Sequence, residues 1–160
     1  MKKMLVLDMD GTIADLYNVD KWLTKLLAED ETPYTDAKPL FDMELLTELL
    51  NVLKDLGWII AVTSWLCKNG TKTYNEKVTA AKTAWLKKYN FPVDILNIVE
   101  YGTLKNDCTI NKADYQVLVD DDANVRKMWT LGDTIQPKDL IKFLIDTIEK
   151  EVFEKIDKYA

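Results

Sequence analysis

Short apolar runs alternate along the chain with longer stretches in which apolar residues recur every three or four positions. Residues 4–7 (MLVL) form the first run, which stops at Asp8 and predicts a buried strand. Residues 19–28 carry Trp22, Leu23, Leu26 and Leu27 at helical spacing, with Asp20 as the expected N-cap. Residues 29–40 hold Pro33 and Pro39 and few apolar side chains, and read as a loop. Residues 42–56 place Leu45, Leu46, Leu49, Leu50 and Leu53 on one helical face, opened by Asp42 and closed by Gly57. The run 58–62 (WIIAV) predicts a second strand ending at Thr63, followed by a polar turn around Gly70. Thr73 and Glu76 have capping-box spacing, and the helix they predict runs to about Tyr89 with Val78, Ala81, Trp85 and Tyr89 on one face. Residues 95–99 and 115–119 predict two further strands, and 134–136 a short fifth. Pro137 then opens a last helix striped by Ile141, Leu144, Ile148, Val152 and Ile156.

Strands that are apolar throughout, separated by helices, predict an α/β fold with a central, mostly parallel sheet between helical layers. No repeat or linker divides residues 1–160, so a single domain is expected. In such sheets ligands bind beyond the carboxyl ends of the strands. There the sequence places Asp8-Met9-Asp10-Gly11-Thr12, Thr63-Ser64, Lys105 and Asp120-Asp121, four carboxylates with hydroxyls and an ammonium on one edge.

Composition narrows the chemistry. The chain has no histidine, which excludes Ser-His-Asp and Cys-His nucleophiles, a histidine general base and histidine metal ligands. Cys67 and Cys108 are too few for a disulfide framework and too far apart for a zinc knuckle. Arg126 is the only arginine among 21 basic residues, so any phosphate contact must rely on lysine. A net charge of −6 disfavours stable nucleic-acid binding, and no apolar run is long enough to span a membrane. The lysines at 2 and 3 precede too short an apolar run for a signal peptide, so a cytoplasmic protein is expected.

Carboxylates gathered on one edge repel unless a hard cation neutralises them, and Mg²⁺ takes such oxygens together with a substrate phosphate. Lysine and hydroxyl groups suit the oxygens of a transferring phosphoryl group. Asp8 and Asp10, two apart, can divide the labour between attack and proton transfer. Gly11 lets the backbone turn sharply after them.

The DMDGT run, Thr63 after an apolar strand, a following lysine and the Asp120-Asp121 pair together resemble the four motifs of the haloacid dehalogenase superfamily of phosphohydrolases. The resemblance runs from Met4 to about Ile145 and implies a three-layer Rossmann-like fold with a small cap after the first motif, at about 15–41. The segments IIAVTSW, VEYGTLK and VLVDD look most like the 5′(3′)-deoxyribonucleotidases and their short bacterial and phage relatives. The resemblance implies that Asp8 is a nucleophile forming an aspartyl-phosphate and that Asp10 is the acid and then the base. It implies that Thr63 and Lys105 hold the phosphoryl group, with Ser64, Gly11 and Thr12 adding contacts. Mg²⁺ would then lie on Asp8, the carbonyl of Asp10 and Asp121, with Asp120 acting through water or behind the ligands. Lys112 is the alternative to Lys105, and Asp122 reads as a loop residue or helix cap.

The space between Thr12 and Asp42 allows only a small cap, which departs from the larger cap of the animal deoxyribonucleotidases. Tyr17, Trp22, Tyr34, Phe41 and Trp65 are placed to stack on a base, with packing between cap and core as the rival role, above all for Trp22. The expected substrate is a small phosphomonoester, first a nucleoside monophosphate, handled by a monomer or homodimer. The rival readings are a phosphatase for sugar phosphates or nucleic-acid 3′ phosphates, and a binding module that has lost catalysis.

Overall fold

The structure, a computed structural model, describes residues 1–160. Five strands form one sheet in the order β5-β4-β1-β6-β7, and every pairing in it is parallel. They are β1 (Lys3–Leu7), β4 (Trp58–Trp65), β5 (Ile95–Val99), β6 (Tyr115–Val119) and β7 (Thr134–Ile135). The two-stranded pair β2 (Ala14–Asp15) and β3 (Lys38–Pro39) lies outside that sheet and is antiparallel. The expected α/β architecture is the one observed.

Alternation along the strands divides the core into two faces. Leu5, Leu7, Ile60, Val62, Val117 and Val119 meet Leu46, Leu50 and Leu53 of α3 (Met43–Asp55), Trp85 and Leu86 of α4 (Lys72–Lys88), and Leu140 and Leu144 of α7 (Leu140–Tyr159). Met4, Val6, Ala61 and Leu118 face the other way, onto Trp129 and the chain around α5 (Lys105–Thr109) and α6 (Ala123–Met128). Each fully buried leucine or valine contributes about 1.5–3 kcal/mol, so the two-sided burial of β1, β4 and β6 anchors the sheet. The register sets Leu7 beside Val62 on one side and Val119 on the other. Asp8, Thr63 and Asp120, the next residues of three adjacent chains, therefore stand level at the carboxyl edge.

Local chemistry explains where the elements depart from the sequence expectations. β4 runs on through Thr63 and Ser64 to Trp65, because these residues pair with Asn97, Ile98 and Val99 of β5. α4 starts earlier than the Thr73 capping box implies. Thr71 is the cap, its hydroxyl accepting from Tyr74 N–H at 3.2 Å, and the Glu29 carboxylate in turn accepts from Thr71 N–H at 2.9 Å. α1 (Trp22–Leu27) is capped by Lys21 in the left-handed region, φ 54°, and not by Asp20; a turn bond from Trp22 N–H to the Val19 carbonyl replaces the side-chain cap. Residues 29–40 are not a plain loop. They form α2 (Thr32–Asp36), whose Pro33 sits in the first turn where its missing N–H is harmless, and then β3. Pro137 opens a short 3₁₀ turn (Pro137–Asp139), and α7 begins only at Leu140. The helix over α3 forms as expected, with Asp42 accepting from the N–H groups of Glu44 and Leu45.

Residues 15–41 lie across α4 and share a buried cluster with it: Leu16, Leu26 and Tyr34 against Tyr74 and Val78. Trp85 Nε1 donates to the Ala37 carbonyl at 2.7 Å, and Tyr74 donates to the Asp30 carbonyl at 3.2 Å. Phe41, placed with the base-stacking aromatics by sequence, packs instead against the main core. The stripe of α7 also runs out of core: Leu144 is buried, whereas Val152 and Ile156 are exposed. No helix is long and apolar enough to cross a membrane.

Candidate active site

After β1 the chain turns tightly. The N–H groups of Thr12, Ile13 and Ala14 all donate to the Met9 carbonyl, and Gly11 N–H donates to the Ala14 carbonyl at 2.8 Å. Gly11 has φ +77°, and a Cβ there would stand 2.5 Å from Asp121 Oδ2 and 2.7 Å from the Tyr17 ring. Only glycine permits both the backbone conformation and this close approach. The turn aims Asp8 and Asp10 into one pocket of about 470 Å³, which Lys105, Asp120 and Asp121 also line.

The two motif aspartates are held by different lysines. Lys105, buried at the start of α5, donates to Asp8 Oδ1 at 2.6 Å and to Asp120 Oδ2 at 2.7 Å. Lys112 is exposed, so of the two candidate lysines Lys105 is the one brought to the aspartates. Burial alone would lower the Lys105 pKa, but Asp8 and Asp120 outweigh it and hold the ammonium above its usual range. Asp10 pairs instead with Lys82, a fully buried residue of α4, whose ammonium donates to Asp10 Oδ2 at 2.6 Å. Burial pushes the Asp10 carboxyl up, and the Lys82 charge opposes this.

Carboxylate oxygens of Asp8, Asp120 and Asp121 lie within 4.8 Å of one another. Asp120 and Asp121 are both pushed up to about 6, by burial first and by the charge of Asp8 next. That crowding is what a hard divalent cation relieves, and the all-oxygen donor set fits Mg²⁺. The Asp10 carboxylate is outside this cluster. Asp120, expected to act through water or from behind, is itself one of the three residues of this cluster. Thr12 ties the loops together: its hydroxyl lies 3.0 Å from Asp8 Oδ2 and accepts from Asp121 N–H at 3.2 Å. Asp122 is the N-cap of α6, accepting from the N–H groups of Asn124 and Val125.

Thr63 and Ser64 are fully buried and do not line the pocket. Thr63 Oγ1 accepts from Asn97 Nδ2 at 3.3 Å, and Ser64 Oγ accepts from Lys82 at 2.8 Å. Trp65 and Tyr17 do line it. Trp65 is locked by a 2.8 Å hydrogen bond from its Nε1 to the Thr103 carbonyl and stacks at a tilt on Tyr101, centroids 5.1 Å apart. Tyr17 meets Trp22 edge to face at 4.9 Å. Tyr34 lines the pocket from a nearly buried position beneath the Lys82 ammonium, 4.8 Å from its ring. Leu16, Leu23, Leu26, Leu27 and Leu66 complete walls that are largely apolar.

Three contributors are not assigned to the site from the sequence. Lys82 had a signal: with Val78, Trp85 and Tyr89 it falls on the apolar stripe of α4, where a charge needs a partner. Arg126 donates to the carbonyls of Asp120 and Asp121 at 2.7 and 3.0 Å and so braces the acidic loop from behind. Tyr101 lies in a turn within the VEYGTLK segment and is given no role there.

No protein-family model and no curated protein matches the chain. Among solved structures it is similar to D,D-heptose 1,7-bisphosphate phosphatase from Burkholderia thailandensis, at 13% identity and a TM-score of 0.55, covering 92% of this chain and 99% of that one. It is also similar to a chain of the Pnkp1/Rnl/Hen1 RNA repair complex, at 19% identity and a TM-score of 0.54. That match covers 85% of this chain but 43% of the other. These likenesses are likenesses of fold: a central parallel sheet with helices on both faces, as the apolar strands and intervening helices predict.

Proposed function

We propose that the protein is a Mg²⁺-dependent phosphomonoesterase that works through an aspartyl-phosphate and acts on nucleoside or deoxynucleoside monophosphates. One observation carries the reading: Asp8, held by Lys105 and crowded by Asp120 and Asp121, stands in a pocket whose other walls are mostly apolar and aromatic.

In this reading an Asp8 oxygen attacks phosphorus while the bond to the ester oxygen breaks, and Asp10 gives that oxygen its proton. Asp10 then takes a proton from the water that attacks the aspartyl-phosphate, which frees phosphate and restores Asp8. Asp8, Asp121 and the Asp10 carbonyl, with Asp120 beside them, would hold Mg²⁺, which would supply charge neutralisation for the phosphoryl oxygens. Lys105 uses two of its three protons on Asp8 and Asp120, which leaves one for a phosphoryl oxygen. Thr63, fully buried outside the pocket and accepting from Asn97, is given no phosphoryl contact in this reading. The intact set argues against a binding module that has lost catalysis.

The walls speak for the substrate. Tyr17, Trp22, Trp65 and Tyr101 present aromatic surface to the pocket, and base stacking on such surface is worth about 1–3 kcal/mol per base. Lys68 and Asn69 also line the pocket and could bond to a sugar or a base, so the aromatic faces are what favour the nucleotide. The heptose bisphosphate phosphatase likeness keeps the sugar-phosphate reading as the alternative. Net charge −6 weighs against a polynucleotide substrate. The test is release of phosphate from a panel of nucleotides, sugar phosphates and 3′-phosphorylated oligonucleotides with Mg²⁺. Nucleoside monophosphates should lead, and a sugar phosphate turned over fastest would replace this reading with its alternative.

A further inference from the structure

We infer that Lys82 is a positioning residue that acts through Asp10, holding one carboxylate oxygen so that the other faces the leaving group. The inference rests on the phosphomonoesterase reading above. Lys82 is fully buried on α4, and its ammonium has three acceptors: Asp10 Oδ2 at 2.6 Å, Ser64 Oγ at 2.8 Å and the Trp65 carbonyl at 2.7 Å. An ammonium has three protons, so none remains for a substrate oxygen. The Tyr34 ring, 4.8 Å away, covers a further side. Lys105 differs in this respect, with two acceptors and one proton left over.

A buried ion pair is a poor source of stability, since an apolar residue at the same place often serves as well. The neighbours of Lys82 on its stripe, Val78 and Trp85, are both buried and apolar. A lysine there therefore calls for a role beyond packing. Its geometry supplies one: β4 provides two fixed acceptors, Ser64 Oγ and the Trp65 carbonyl, which pin the ammonium, and the ammonium in turn pins Asp10 Oδ2. Asp10 Oδ1 has no protein partner, and Asp10 lines the pocket. From that oxygen the proton passes to the ester oxygen as the P–O bond breaks. In the second half-reaction the same oxygen takes a proton from the attacking water, whose oxygen bonds to phosphorus as the aspartyl-phosphate opens. Loss of Lys82 would leave attack by Asp8 intact but misdirect this transfer.

Leaving-group dependence separates the role from plain phosphate binding. In Lys82→Met, kcat/KM for a nucleoside monophosphate, whose alkoxide must be protonated, should fall ~100-fold, the usual worth of general-acid catalysis. For p-nitrophenyl phosphate, whose leaving group departs without a proton, the fall should be under about tenfold. In an Asp10→Asn background the same change should cost no more than about twofold on the nucleotide, since residues acting as a unit are not additive. Equal losses on both substrates, or a full additional loss in the Asp10→Asn background, overturn the inference. Thermal unfolding of each variant checks folding. If Lys82→Met does not fold, Ser64→Ala, which removes one of the three acceptors, should show the same selectivity for the poor leaving group at smaller size. Uniform loss in Ser64→Ala counts against the inference. A wild-type protein that hydrolyses neither substrate overturns the function and the positioning role together, whereas an active wild type with leaving-group-independent variants overturns the positioning role alone.

Discussion

At the acidic end of the pocket Asp8 and Asp120 share Lys105, Asp10 has Lys82, Thr12 bridges Asp8 and Asp121, and Arg126 braces the two carbonyls behind. Along the walls Tyr17 and Tyr101 are half exposed, and Leu23 and Leu27 are exposed on a six-residue helix. The acidic end hangs from the sheet, where the register of three buried strands leaves little freedom. Apart from Trp65, which ends β4, the walls hang from short segments held by one small cluster and a few hydrogen bonds. Rigid geometry at the reacting atoms and looser contact around the rest of the ligand is how a site combines chemistry with tolerance of substrate. Substitutions at the acidic end should therefore lower turnover of every substrate, and those in the walls should change KM for some.

The sharpest break of that contrast is Asp8→Asn. It should reduce hydrolysis of all phosphomonoesters to background and leave no phosphorylated protein on acid quench, as read by intact mass. A phosphorylated Asp8→Asn protein would place the nucleophile elsewhere.

Removal of the cation comes next. EDTA should abolish turnover and Mg²⁺ restore it, and full activity in metal-free buffer would sink the mechanism. The pH dependence follows from the raised carboxyls. Asp120 and Asp121 rise from the usual 3.8 to about 6 in the folded protein, so without a cation the fold holds these protons more tightly than the unfolded chain does. Their contribution to stability is complete below about pH 4 and is lost as pH rises through about 6. Mg²⁺ competes with the same protons. The upward shift in Tm on adding Mg²⁺ should be larger at about pH 7.5 than at about pH 5. The reverse order would mean that the ion binds away from these aspartates.

Lys105→Ala should cost about a hundredfold in kcat/KM, ~2.7 kcal/mol, on any substrate, while exposed Lys112→Ala stays near the parent. A crippled Lys112→Ala beside a healthy Lys105→Ala would contradict the charge-stabilising role of the buried lysine.

The smallest effect belongs to the wall. Trp65→Ala should raise KM for a nucleotide by about tenfold, within the worth of one stacking contact, and change hydrolysis of a small alkyl phosphate much less. Equal losses on both would make Trp65 a packing residue, in keeping with its bond to Thr103 and its contact with Lys105.

The parts of this molecule that could be read from the chain are those whose cause is local. Runs such as 4–7 and 115–119 are apolar throughout because both faces of a central parallel strand are covered, and the polar residue that ends each run marks the carboxyl edge. Asp8 and Asp120 were legible for that reason, and Gly11 because a turn there needs a positive φ. What only the tertiary structure decided rests on contacts far apart in sequence. Lys82 meets Asp10 across 72 positions and Lys105 meets Asp8 across 97, and no local pattern encodes which lysine goes to which aspartate. The extension of β4 past Thr63 depends on its pairing with β5, and the start of α4 at Thr71 depends on Glu29 from the opposite segment. The exclusion of Thr63 and Ser64 from the pocket and the entry of Tyr101 into it were decided in the same way, because burial is a property of what the rest of the chain places alongside a residue.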